Sequence, residues 1–177
     1  MTAAMARALS FVLRRWPLFA ALASAAMLAS AHGFQRMGYA PCYLCLKQRE
    51  VYWAALAVAV VGIALQVSRP VIGRWPSKFA IVGLGLIFLF GAGLAGFHAG
   101  VEWDWWEGPA TCASSGAGRL TLESMNAALE RGVRAPMCDE APWYVLGLSM
   151  AGWNAVVSLV LAILSAMALR RREPSLG

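Results

Sequence analysis

The sequence predicts an all-α membrane protein, a bundle of four transmembrane helices that forms a single domain over residues 1–177. Hydrophobic residues make up 60% of the chain, charged residues make up 14% and the mean hydropathy is +0.61, which is too apolar for an ordinary soluble domain. Four apolar runs each approach the roughly 20 residues that cross about 30 Å of hydrocarbon. They span residues 16–34, 51–67, 79–97 and 143–169.

The basic residues predict the orientation of these helices. They cluster before the first run, between the second and third, and after the fourth: Arg7, Arg14, Arg15, Arg69, Arg74, Lys78, Arg170, Arg171 and Arg172. The positive-inside rule makes these segments cytoplasmic, together with both termini, and leaves loops 33–50 and 100–142 outside. The long outer loop agrees, since it holds seven of the nine acidic residues. No nucleic-acid partner is expected, because the charges form no basic face with exposed aromatic side chains.

The first run, residues 16–34, has a second interpretation. The Arg14-Arg15 pair, the apolar stretch and the small residues at positions 29–31 together resemble a signal peptide with its cleavage site. Cleavage after Ala31 would leave the other three helices in the same orientation. N-terminal sequencing of the mature protein distinguishes the two, because a start at His32 would reduce the bundle to three helices.

The short outer loop, residues 33–50, contains the motif PCYLCLKQR from Pro41 to Arg49. Pro41 favours the start of a helix, so Cys42 and Cys45 are expected in or just before the first turn of the second helix. The unsatisfied amides and the positive partial charge of that end favour a thiolate. A Cys42–Cys45 disulfide would close almost no loop, so redox chemistry explains it better than stabilisation does.

Arg49 follows Cys45 by four residues and therefore lies on the same helical face. Its charge can stabilise a Cys45 thiolate or hold the oxygen of an acceptor beside it. The alternative is an interfacial arginine that extends to the lipid head groups. Sulfur at the mouth of a membrane helix can exchange electrons with a lipid-soluble two-electron carrier, and a quinone is such a carrier.

The third run, residues 79–97, is rich in glycine, which predicts close packing against a neighbouring helix. The glycines are Gly83, Gly85, Gly91, Gly93 and Gly96. His98, at the outer end of this run, is either a site residue or an ordinary interfacial histidine. The tryptophans of EWDWWEG, residues 102–108, predict an aromatic belt at the head-group level, and a share in shaping a binding site is the alternative.

The long outer loop, residues 100–142, holds Cys112 and Cys138, so all four cysteines lie outside. Thiols outside the inner membrane of a bacterium are held oxidised, which predicts two disulfides, most simply one per loop. A Cys112–Cys138 bond would stabilise the fold by about 3–4 kcal/mol on the chain-entropy argument, and taken alone it could be purely structural. Between these cysteines, Leu122–Arg131 has apolar residues at near-helical spacing, which predicts a short amphipathic helix on the membrane surface.

The fourth run, residues 143–169, opens with WYVLGLSMAGWN from Trp143 to Asn154, and Asn154 is expected to form a hydrogen bond between helices. With this motif the whole chain resembles the DsbB family, the quinone-dependent thiol oxidases of the bacterial inner membrane. The resemblance also rests on PCYLCLKQR, on His98 fourteen residues ahead of Cys112, and on the wide loop between Cys112 and Cys138.

The resemblance implies a multi-pass inner-membrane enzyme that reoxidises a periplasmic, thioredoxin-like dithiol oxidase of the DsbA type. It implies that this partner attacks Cys112, that the released Cys138 attacks Cys42, and that Cys45 is freed beside a membrane quinone, either ubiquinone or menaquinone. Arg49 and His98 are implied to support binding of the quinone. Electrons drawn from the partner thus reach the quinone pool and sustain disulfide formation in periplasmic proteins.

Three other interpretations remain open at the level of sequence. A vitamin K epoxide reductase-like protein also has four helices and a membrane C-x-x-C, but there the motif is expected near the start of the last helix. A membrane scaffold with static disulfides would keep all four cysteines oxidised when a reduced dithiol protein is added. The spacing of the four cysteines does not match that of a usual zinc site, so no metal is expected.

Overall fold

The computed structural model describes residues 2–68, 75–110, 112 and 137–171. Its helices are α1 (Ala3–Arg14), α2 (Trp16–Arg36), α3 (Tyr43–Val67), α4 (Trp75–Glu102) and α5 (Met150–Arg170). A short antiparallel hairpin of β1 (Tyr144–Val145) and β2 (Leu148–Ser149) precedes α5. The amphipathic helix predicted at Leu122–Arg131 lies outside the described residues.

Four of these helices are long and apolar enough to cross a membrane: α2, α3, the Ser77–Glu102 part of α4, and α5. Large apolar side chains cover the outside of the bundle, and Val60, Phe79, Phe90 and Ile163 are each more than half exposed. An apolar surface of this extent is costly in water but favourable against lipid tails. The predicted all-α bundle with four membrane spans is therefore confirmed.

The helix bounds differ from the predicted ones at the ends that carry the cysteines. Helix α3 begins at Tyr43 rather than near residue 51, because Cys42 caps it with a side chain that accepts the Cys45 amide. Helix α5 begins at Met150 rather than near residue 143, since the hairpin occupies the residues between. Its turn residues Leu146 and Gly147 both have positive φ, the geometry of a two-residue type I′ turn.

Helix α1 has no counterpart among the predicted elements. Thr2 caps its first turn through the Met5 amide. Leu13 is buried, whereas Met5 and Phe11 are more than half exposed, and the helix also contains Arg7 and Arg14. A helix of this composition suits the interface between membrane and water. It lies in the segment that the positive-inside rule predicts to be cytoplasmic.

Small side chains let the helices approach closely. Helix α4 packs mainly against α5 and α3, and α2 packs mainly against α3. The closest approach involves Gly91, where a Cβ atom would lie 2.9 Å from Val51 Cγ1. Gly85 faces Ser165 in the same way, whereas Gly93 and Gly96 have no such neighbour within 4 Å among the described residues. The packing role predicted for the glycines is thus confirmed for part of the set.

The first predicted run is packed into this bundle as α2. Trp16, at its start, is fully buried, and its indole N–H donates to Ser165 Oγ of α5 at 2.9 Å. A hydrogen bond between two helices in an apolar environment is difficult to replace. The contact joins the start of α2 to α5 within the bundle.

Candidate thiol redox site

The C-x-x-C pair lies where α3 begins. Cys42 is the N-cap residue, and its Sγ accepts the Cys45 backbone N–H at 3.3 Å. The two Sγ atoms are 3.0 Å apart, and both residues are free thiols. The predicted place of the sulfur at the first turn is confirmed. The prediction of two disulfides is wrong for this structure, because the separation of these sulfurs is that of a hydrogen bond and not of a bond near 2.05 Å, the roughly constant disulfide length.

The second cysteine pair lies close to the first. Cys112 and Cys138 form a disulfide, and both residues are buried in one cluster with Cys42, Leu44 and Val101. This cluster is separate from the larger helical core, whose members include Trp16 and Phe88. Because Cys42 belongs to this cluster and Cys45 packs against it, thiol–disulfide exchange between the pairs would need only local movement.

His98, near the end of α4, lies beside the sulfur of Cys42. The residue is 3% exposed, and its Nε2 lies 3.6 Å from Cys42 Sγ and 3.9 Å from Glu102 Oε1. Its Nδ1 lies 2.7 Å from Gln48 Nε2. An amide nitrogen can only donate, so Nδ1 accepts and the proton of the neutral ring is on Nε2. Of the two roles open to His98 from the sequence, this burial beside Cys42 favours the site residue.

The surroundings of Cys42 favour its thiolate. The hydrogen bond from Cys45 has the largest influence and lowers the pKa of Cys42, burial acts in the opposite sense, and His98 lowers it again. Together they bring the pKa of Cys42 from 9.0 to about 4. The amide at the helix N-terminus acts in the same direction as the two side chains. The groups that stabilise negative sulfur therefore surround Cys42.

We expect the alkylation rate of Cys42 in the reduced protein to be nearly constant between about pH 5 and pH 8. With its pKa near 4, the reactive thiolate is present throughout, whereas an ordinary thiol gains roughly 1000-fold in thiolate over three pH units. The measurement is the rate of iodoacetamide labelling of Cys42 in detergent, followed by mass spectrometry.

The matched control is Cys45→Ala, which removes the side-chain donor and should restore a rising rate. A tenfold increase per pH unit in the unsubstituted protein would contradict a Cys42 thiolate. The free energy of unfolding of the reduced protein should also depend on pH. Because the pKa of Cys42 is lower in the folded protein than in the unfolded one, its contribution to stability is complete above the unfolded value of 9.0. That contribution is lost as the pH falls through about 4.

Arg49 lies on the Cys45 face of α3 but binds α2. Its guanidinium donates to Gln35 Oε1 at 2.6 Å and to the Ala31 carbonyl at 3.0 Å. Both acceptors belong to the last turns of α2, where a cation is favourable because of the helix dipole. Arg49 also lines a cavity beside Cys45. It therefore links two helices and contributes a cation to the cavity wall.

This cavity has a volume of about 560 Å³, within the usual range for small-molecule sites of roughly 300–1,000 Å³. Its walls come from α2, α3, α4, α5 and the segment before the hairpin, and they are mainly apolar. The indole of Trp143 forms part of the wall, and its N–H is buried with no acceptor among the described residues. A buried donor of this kind would be satisfied by a ligand oxygen. The polar side chains of the wall include those of Cys42, Cys45, Gln48, Arg49, His98 and Glu102.

The tryptophans after α4 lie apart from this cavity. Trp103, Trp105 and Trp106 are partly exposed at the end of the helix, and none is among the residues that line the cavity. Trp106 stacks on Phe97 with ring centroids 5.7 Å apart and donates its indole N–H to the Phe97 carbonyl. This arrangement favours the predicted aromatic belt over a share in the site.

A chain of polar side chains that the sequence did not reveal leads away from His98. Asn154 Nδ2 donates to Gln48 Oε1 at 2.5 Å, and the Tyr52 hydroxyl donates to Asn154 Oδ1 at 2.5 Å. The Tyr52 oxygen lies 3.0 Å from Ser158 Oγ. The hydrogen bond expected of Asn154 between helices is confirmed. The spacing of Cys45, Gln48 and Tyr52, three and then four residues apart, is the signal that could have placed them on one face of α3.

The sulfur and imidazole atoms are also close enough for a metal ion. The ligand atoms of Cys42, Cys45 and His98 lie within 4.8 Å of one another, and such a set suits zinc. However, Gln48 donates to His98 Nδ1, so Nε2 carries the ring proton and lacks the lone pair that a metal needs. The hydrogen bonding therefore favours a thiol site over a metal site.

Comparisons with known proteins agree with this chemistry. A family model described as Disulfide bond formation protein DsbB matches residues 13–168, which include all four cysteines and His98. The chain is 29% identical over 167 residues to Disulfide bond formation protein B of Nitrosococcus oceani, and the alignment covers 92% of this chain and 95% of that relative. No solved structure matches the chain.

Proposed function

Because the chain belongs to the DsbB family of disulfide bond formation proteins, we propose that it is a thiol oxidase of the bacterial inner membrane. It takes two electrons from a periplasmic dithiol protein of the DsbA type and delivers them to a membrane quinone. The observation that carries the proposal is that Cys42, Cys112 and Cys138 share one buried cluster against which Cys45 packs, with Cys42 and Cys45 also lining the cavity. In this proposal both termini are cytoplasmic, so the sulfur faces the periplasm.

The exchange steps balance within the chain and its partner. A thiolate of the partner attacks Cys112, and the Cys112–Cys138 bond breaks to release Cys138 as a thiolate. Cys138 attacks Cys42 of an oxidised Cys42–Cys45 pair, the bond between these two cysteines breaks, and Cys45 leaves as a thiolate. The second thiol of the partner then displaces Cys112, which completes the partner's disulfide. Cys112 re-forms its bond with Cys138 and releases Cys42.

The described structure has the pairing that this sequence of steps produces. Cys112 and Cys138 are joined, while Cys42 and Cys45 are free cysteines, the reduced form of the pair that holds the two electrons. The Cys112–Cys138 disulfide is buried, so the partner has to uncover Cys112 before it can attack. The proton on His98 Nε2 lies beside Cys42 and stabilises negative charge on that sulfur.

The residues of the cavity fit a quinone. Apolar walls accommodate its ring and prenyl tail, while the Arg49 guanidinium and the buried Trp143 indole N–H are donors for ring oxygens. A bound quinone supplies a two-electron, two-proton acceptor. Cys45 lines the same cavity, which supports electron transfer from this sulfur to an acceptor bound there.

The test is an absorbance assay of quinone reduction. Purified protein in detergent is mixed with a reduced DsbA-type protein and a soluble ubiquinone or menaquinone analogue. We expect catalytic formation of quinol together with oxidation of the partner. A partner in which both active-site cysteines are serine is the control and should give no quinol. If neither quinone is reduced and the cysteines do not respond to the reduced partner, the disulfides are static and the protein is a membrane scaffold.

A further inference from the structure

The geometry points to Gln48 as a positioning residue that acts through His98, by holding the imidazole proton on Nε2, the ring atom beside Cys42 Sγ. Gln48 lies one turn after Cys45 on α3, is 8% exposed, and has both ends of its amide engaged. The role of Gln48 in catalysis rests on the proposed thiol oxidase function. Which ring nitrogen of His98 carries the proton does not depend on that function.

The amide of Gln48 is oriented by the chain behind it. The Tyr52 hydroxyl donates to Asn154 Oδ1, which leaves Asn154 Nδ2 to donate to Gln48 Oε1. Gln48 Nε2 is then the atom that reaches His98 Nδ1. Each link has a donor on one residue and an acceptor on the next, so the direction of the chain determines which ring nitrogen of His98 holds the proton.

The charges around His98 favour this direction over its reverse. Reversal would rotate both amides, move the ring proton to Nδ1, and turn the Nε2 lone pair towards the Cys42 sulfur and the Glu102 carboxylate. A lone pair facing two anionic groups is repelled, whereas an N–H in that place is attracted to both. The ionisable groups nearest to Nε2 are Cys42, its neighbour Cys45, and Glu102. Helix α5 contributes the uncharged Asn154, and Ser149 donates a hydrogen bond to Glu102.

Gln48 therefore favours the Cys42 thiolate through His98 and not through a direct contact. The N–H of His98 is aimed at Cys42 before any acceptor or partner binds, so no proton has to be rearranged when the thiolate forms. A leucine at position 48 would fill similar space but would neither donate to Nδ1 nor accept from Asn154. The proton of His98 would then distribute between both ring nitrogens.

The experiment is nitrogen-15 NMR of the reduced protein in detergent, labelled only at histidine, without quinone or partner. The chain has two histidines, and they are expected to differ. His32 Nδ1 lies 2.7 Å from the Leu28 carbonyl and must donate to it, so His32 is the Nδ1–H tautomer, whereas His98 is expected to be the Nε2–H tautomer. In Gln48→Leu, His98 should shift to a mixture of tautomers while His32 stays unchanged.

Gln66→Leu, the same substitution near the other end of α3, is the matched control and should leave both histidines as they are. Alkylation of Cys42 at pH 5 should be about twofold slower in Gln48→Leu, because a loss of about tenfold in the ionisation constant, the size of one hydrogen bond to a charged group, leaves roughly half of the thiol ionised there. An Nδ1–H signal for His98 in the unsubstituted protein would overturn the inference even if the variant does not fold. A pure Nε2–H signal retained in a folded Gln48→Leu would overturn it as well. Because these measurements involve no quinone, a failed oxidase assay leaves their result intact.

Discussion

Cys45→Ser is expected to abolish quinone reduction, whereas Cys112→Ser is expected to block only the turnover driven by the protein partner. Serine at position 45 cannot re-form a disulfide with Cys42, so the pair can no longer hold or release two electrons. Cys112→Ser leaves the Cys42–Cys45 pair intact beside the cavity. A small dithiol such as dithiothreitol can still reduce that pair directly.

The two variants are compared in one absorbance assay with two electron donors. With the DsbA-type partner as donor, both should lose essentially all activity. With dithiothreitol, Cys112→Ser should keep activity within about a fewfold of the unsubstituted protein, while Cys45→Ser stays at background. Because both variants replace one cysteine with serine, each serves as the control for the other. Quinone reduction by Cys45→Ser at the unsubstituted rate would reject the assignment of roles.

Gly91→Leu is expected to destabilise the bundle and to disturb the thiol site at the same time. A Cβ atom at this position would already lie 2.9 Å from Val51 Cγ1, so a larger side chain must push α3 and α4 apart. Overpacking of this kind typically costs about 1–3 kcal/mol. His98 lies on α4 whereas Cys42 and Gln48 lie at the start of α3, so the same movement separates the imidazole from the sulfur.

The measurements are thermal unfolding in detergent and the pH dependence of Cys42 alkylation. Gly93→Leu is the matched control, because Gly93 is exposed on the same helix and has no neighbour within 4 Å among the described residues. Both variants gain the same helix propensity relative to glycine, so their difference isolates the contact with Val51. Equal unfolding temperatures for the two would show that α3 and α4 tolerate the extra volume.

The membrane spans followed from the sequence because the bilayer leaves few choices. Backbone groups in hydrocarbon have to be satisfied within the segment, so a long apolar run folds as a helix. The hairpin before α5 escaped prediction for the same reason, since Tyr144, Val145 and Leu148 simply continue the apolar run. The signal that remained was Gly147, whose positive φ the turn requires.

The sequence predicted where Cys42 and Cys45 lie, but it did not predict which side chains surround them. Pro41 and the C-x-x-C spacing were enough to place Cys42 at the start of a helix. The contacts of His98 and Gln48 depend on how α3 and α4 are rotated against each other, which is decided by packing over many residues. Hydrophobic patterns describe each helix by itself, so they carried no information on that rotation. The C-x-x-C at the second span, together with family membership, leaves the epoxide reductase interpretation without support.

Cys42 caps α3, and in the proposed function its sulfur also changes oxidation state. When Cys42 bonds to Cys45, its sulfur loses negative charge and becomes a poorer acceptor for the Cys45 amide, so the first turn of α3 is held less firmly. Reduction restores the cap. A dithiol whose reduced form is stabilised has a higher reduction potential, so under the proposed function we expect the start of α3 to make a Cys42–Cys45 disulfide a stronger oxidant. The order of the first turn of α3 and the reduction potential of the cysteine pair therefore both depend on Cys42.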